Sequence, residues 1–127
     1  MGGDFELLAA SLRADESDLA VFVESLATKL EGALPRRTQV RRRRRGFLSK
    51  EQRVEEIAVD LGDDRYVLRY DGRDVDTRCA KAVRGVVLKT EPLPLDRWID
   101  ALATTIAGEA RESEQGRDAL ARLLEGR

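Results

Sequence analysis

Guanidinium groups dominate the chemistry open to this chain. Arg36, Arg37, Arg41, Arg42, Arg43, Arg44, Arg45 and Lys50 fall within residues 35–50, which hold no acid and carry a local charge of +8. An arginine offers planar, paired donors that match the oxygens of a carboxylate or phosphate. Several on one element concentrate positive potential where an anion can approach. The flanking stretches are acidic, −5 over residues 1–34 and −4 over residues 51–127, so the whole chain sits at −1.

The run has two possible destinations. Read as a strand over residues 38–45, it sends Arg41, Arg43 and Arg45 one way and Arg42 and Arg44 the other. Both faces of such a strand cannot be buried, so it belongs at a sheet edge, where charge also discourages aggregation. A hairpin through the following loop places Arg43 opposite Glu55, Arg42 opposite Glu56 and Thr38 opposite Asp60, and the block is then partly neutralised by its own neighbour. Otherwise the arginines stand ready for an acidic partner. Phe47 and Leu48, two apolar residues in a charged loop, either tuck onto the core or touch that partner. Arg36, Arg37, Arg41, Arg42, Arg43, Arg44, Arg45, Phe47, Leu48 and Lys50 are therefore the candidate binding residues.

Other reactive types are scarce. Histidine is absent and Cys79 is the single thiol. Without imidazole, metal or helix N-terminus to lower its pKa, Cys79 reads as a small core residue on a strand. Asp63, Asp64, Asp71, Asp74 and Asp76 are of a type that suits Mg²⁺ or Ca²⁺. Their spacing lacks the glycine and closing glutamate of a calcium loop, and Asp-Gly is ordinary turn composition. Gly-rich phosphate loops and nucleophile elbows do not occur. No cofactor, metal or small-molecule ligand is inferred, and no catalytic residue is assigned. The leading expectation is a small non-enzymatic interaction or adaptor module whose Arg-rich edge strand binds an acidic protein. Nucleic acid or an anionic membrane surface is the alternative partner, although no aromatics interleave with the arginines to stack on bases. A carboxylate-based enzyme ranks third.

The elements that would position these groups follow from periodicity. Phe5, Leu8, Leu12, Leu19, Phe22, Val23, Leu26, Leu30 and Ala33 form a 3.6-residue stripe over residues 4–32. This is one helix, or two joined near Ala14–Asp18 with Asp15 or Ser17 as cap, and Gly32 and Pro35 mark its end. Ile57, Val59 and Leu61 alternate with Glu56, Ala58 and Asp60 as in a half-buried strand. A turn at Gly62–Asp64 leads to a second strand bearing Tyr66, Leu68 and Tyr70. Asp71-Gly72 predicts a type I′ hairpin. Residues 73–90 form one long bent strand or two, with Gly85 a plausible bulge. After Pro92 and Pro94, Leu95, Trp98, Ile99, Leu102, Ile106 and Ala110 share a helical face. Gly116 reads as a break before a short stripe of Leu120, Leu123 and Leu124.

The fold class predicted is α+β: an N-terminal amphipathic helix, an antiparallel meander of three to four strands, and a C-terminal amphipathic helix followed by a short terminal helix. Residues 1–112 make a single domain and residues 113–127 a short helical extension. In element order this is similar to small nucleoid-associated proteins and, more loosely, to bacterial secretion chaperones. That likeness is one of architecture, which implies the fold and carries no residue roles. The helices offer more apolar stripe than a four-stranded sheet would cover. The surplus, placed at residues 115–125, predicts packing on a second chain in a homodimer. No apolar run approaches the roughly 20 residues of a membrane span. The first residues lack the pattern of a secretory signal, and the expected location is cytoplasmic.

Overall fold

In the computed structural model, which describes residues 7–9, 18–44, 52–84 and 86–124, Asp18 opens the first long helix. Its Oδ1 accepts the N–H groups of Ala20 and Val21 at 3.1 and 3.3 Å, satisfying donors that the helix itself leaves open. The cap is therefore Asp18 rather than Asp15 or Ser17, which lie outside the described residues. Helix α1 runs Leu19–Ala33 and buries Phe22, Val23, Leu26 and Leu30, the predicted stripe. Residues 7–9 are also helical, and Leu8 and Ala9 join the core.

Five strands follow: β1 (Thr38–Arg44), β2 (Gln52–Leu61), β3 (Asp64–Tyr70), β4 (Val75–Val83) and β5 (Val86–Pro92). They form one antiparallel meander in the order β1-β2-β3-β4-β5. The fifth strand arises because residues 73–90 divide at Arg84, which takes a positive φ of 53°; Gly85 lies outside the described residues.

The turns depart from expectation in an instructive way. Leu61 pairs with Asp64, so Gly62-Asp63 is the two-residue connection. The φ of Gly62 is +61° while that of Asp63 is not positive, the sign pattern of type II′, which matches strand twist. Asp71-Gly72 does not make a two-residue turn. Tyr70 pairs with Val75, leaving a four-residue loop. Asp71 Oδ1 organises it by accepting Arg73 N–H at 2.8 Å and Asp74 N–H at 2.7 Å.

Two further helices complete the layer, α2 (Leu95–Glu112) and α3 (Glu114–Leu124). They meet at Ser113, not at Gly116. Ser113 N–H donates to Glu109 O, ending α2, and its Oγ accepts Gly116 N–H at 3.0 Å, starting α3. Gly116 is instead a packing position inside α3. A Cβ there would run into the Glu109 carbonyl, so only glycine lets the two helices approach this closely.

The helices cover one sheet face, α1 over β1 and β2 and α2 over β4, with α3 against both helices. Between the layers lie fully buried Ile57, Leu61, Leu68, Trp98, Leu102 and Ile106. Trp98 Nε1 donates to Arg78 O, and Tyr66 shares a 2.6 Å hydrogen bond with Thr105, so both of these buried aromatics have their polar atom satisfied. Trimming one of the large aliphatics to alanine costs about 2–5 kcal/mol. Ala119, Leu120 and Leu123 of α3 belong to the same core cluster. The surplus stripe foreseen at residues 115–125 is thus largely consumed within the chain, and the reason for expecting a second chain there falls away.

Candidate functional site

Among the described residues strand β1 is an edge of the sheet, paired on one side with β2. Its start is fixed by Thr38, whose Oγ1 donates to Leu30 O, and by Val40, which packs against the core. Beyond Val40 the side chains are all arginine.

Their register differs from the simple hairpin. Thr38 faces Val59 and Arg41 faces Glu56, one residue from expectation. The register then shifts, so that Arg42 faces Val54 and Arg43 faces Arg53. Glu55 is the extra residue of a β-bulge in β2. The bulge lets Val54 and Ile57, three apart, both reach the core. It also brings Glu55 and Glu56 to the same arginine: Arg41 Nε lies 3.5 Å from Glu55 and Arg41 Nη2 3.7 Å from Glu56. Sequence carried a signal for this. With Ile57, Val59 and Leu61 inward, strict alternation would turn Glu55 to the core and Val54 to water.

Arg42 is consumed from the other side. Its guanidinium binds Glu31 of α1 bidentately, at 2.6 and 3.3 Å. The Glu31 hydrogen bond raises the Arg42 pKa and holds it more firmly protonated. Glu24, one helical stretch earlier, accepts Val54 N–H at 3.0 Å, so α1 uses its acids to finish the β1–β2 pair. Arg37 Nη1 alone donates to both carboxylate oxygens of Glu109 of α2, at 2.7 and 2.8 Å.

The ten candidate residues therefore divide. Arg37, Arg41 and Arg42 meet the chain's own carboxylates. Arg36, Arg43 and Arg44 are exposed and have no ion pair among the described residues. Arg45, Phe47, Leu48 and Lys50 lie outside the described residues.

One participant had no signal in the sequence. Arg53, directly across from Arg43, has its guanidinium 5.7 Å from the Tyr70 ring centroid. Its Nε is buried and without a hydrogen-bond partner. Gly72, at φ +96°, leaves the room this requires, because a Cβ there would collide with Arg53 Nη1. Two cations opposed across strands repel each other. They line a shallow cavity of about 580 Å³ that also reaches Arg41, Arg69, Asp74 and Asp76.

Four acids line the same cavity: Glu55, Asp71, Asp74 and Asp76. Glu56 holds Arg69 at 2.8 Å and Asp76 holds Arg78 at 2.9 Å. The Asp71 carboxyl is drawn below its ordinary pKa by the backbone N–H groups of Asp74 and Arg73. These acids serve turns and ion pairs, as their composition implied. Cys79 packs against the core, and burial pushes its thiol pKa up, away from the reactive thiolate. No helix is long and apolar enough to cross a membrane among the described residues. Set against protein-family models, curated proteins and solved structures, the chain matches none of them.

Proposed function

We propose that this chain is a binding module that takes an extended, acidic segment of a partner protein along the free side of β1. The observation that supports this reading is the Arg43–Arg53 juxtaposition: two facing cations, with no carboxylate among the described residues engaging either. A partner carboxylate between them would relieve their repulsion. Strand addition to an open edge would provide main-chain hydrogen bonds, and Arg43 and Arg44 would select for acid. Arg36, exposed just before β1, stands apart from this pair, beside the end of α1 and the start of α3. The paired arginines have another task, holding β1 onto α1, β2 and α2.

Fluorescence anisotropy of a labelled Glu/Asp-rich peptide at low salt tests the reading. The peptide is expected to bind, and R43S together with R44S to weaken it by roughly tenfold or more without altering the circular dichroism. No binding at low salt sinks the proposal. So does preference for duplex DNA or anionic vesicles over the peptide; a steep salt dependence with DNA would move the assignment to nucleic acid.

A further inference from the structure

The opposite edge is built for a different occupant. Every residue of β5 is exposed. Of the large apolar residues exposed in the described parts of the chain, Val83, Val86, Val87 and Leu88 lie together, at 38%, 58%, 48% and 67% exposure, whereas Leu7, Val21 and Leu124 are scattered. A cluster of this kind on an open strand edge is a pairing surface.

The backbone is poised to match. Leu93 N–H donates to Thr77 O at 2.9 Å, while Arg78 lies opposite Pro92 and Ala80 opposite Thr90. Bonded and non-bonded pairs alternate along an antiparallel ladder, so the main-chain groups of Pro92 and Thr90 point away from β4. Pro92, lacking an N–H, turns a C=O alone to the open side, so toward a second strand it accepts a main-chain hydrogen bond and donates none. Thr90 offers both N–H and C=O to the open side.

We infer that β5 docks β5 of a second copy of this chain, antiparallel about a two-fold axis at Thr90. The strand is self-complementary in that register. Lys89 and Glu91, which now form a 2.7 Å pair within one strand, each face the opposite charge on the other copy. Residues 86–88 of each copy run beside Pro92 and Leu93 of the other, apolar against apolar. The two Thr90 residues exchange main-chain hydrogen bonds at the axis. The result is one continuous ten-stranded sheet with the arginine strands at its two far ends. A two-fold contact between identical strands closes on itself and does not propagate into a fibre. The inference is independent of what β1 binds.

Light scattering after gel filtration tests it. At high micromolar concentration the full chain is expected to run at twice its 14.2 kDa. T90P, which removes an outward N–H and leaves the β4 ladder intact, is expected to run as a monomer with unchanged circular dichroism. K89E sets acid against acid at two symmetric points and is expected to raise the dissociation constant by roughly tenfold or more. K89E combined with E91K restores the opposed charges and is expected to restore the dimer. A monomeric parent chain overturns the inference, as does a dimer indifferent to T90P and K89E. A folded double variant that stays monomeric overturns the register.

Discussion

Strands β1 and β5 bound the same sheet, and each has one side without a neighbouring strand among the described residues. Such a row of open N–H and C=O groups invites another chain. β1 answers with four successive arginines, and β5 with two valines and a leucine. The charged edge repels its own kind, because two copies brought together would oppose arginine to arginine. The apolar edge, with one lysine and one glutamate two residues apart, suits its own kind. On the two proposals above, composition at an edge sorts partners: acid on one side of the molecule, self on the other.

Making β5 resemble β1 should produce the largest effect. V87R with L88R is expected to abolish self-association by light scattering and leave the fold intact, since both side chains are already exposed. Next comes removal of the open arginines: R43S with R44S should cost the acidic peptide roughly tenfold and leave self-association unchanged. R42A is expected to do the reverse of this on β1, retaining peptide affinity and lowering stability by about 0.2–1 kcal/mol in urea denaturation, the scale of an exposed ion pair. Should R42A weaken peptide binding as much as R43S, the division between paired and open arginines is wrong.

The smallest effect is one of pH. The Lys89 hydrogen bond and charge lower the Glu91 pKa from its ordinary value of 4.5. Its contribution is therefore complete above that value and is lost as pH falls through the lowered folded pKa. Arginine does not titrate in this range. Between pH 7 and pH 3, denaturation midpoints of the parent should fall more than those of E91Q. An equal fall in both would remove Glu91 from the account.

Much of this arrangement was readable from residue order. The α2 face of Trp98, Ile99, Leu102, Ile106 and Ala110 followed from spacing alone, because burial on one side is what a 3.6-residue period means. The alternation of Arg41 and Arg42 was also legible, and they do reach opposite faces, one to Glu55 and Glu56 and the other to Glu31. What could not be read locally was who waits on each face. Glu31 arrives from α1 and Glu109 from α2, and such meetings depend on how layers stack. Arg42 and Arg43 each pair two residues from the predicted partner: the whole hairpin is offset by one, and the bulge at Glu55 adds the second. Gly116 misled because glycine signals a break when flexibility is its use, whereas here its lack of a side chain is what matters. Arg53 gave no warning at all, since its interest lies in the ring beneath it and the cation across from it.

The position of α3 has a consequence for how the chain is made. It closes the gap between α1 and α2, with Arg122 reaching back to the carbonyl of Gly32. Translation delivers α1 and the whole sheet first, so the apolar flanks of both earlier helices wait uncovered until residues 114–124 emerge from the ribosome. A chain truncated after Ser113 should therefore bind a hydrophobic dye more strongly than the 127-residue chain.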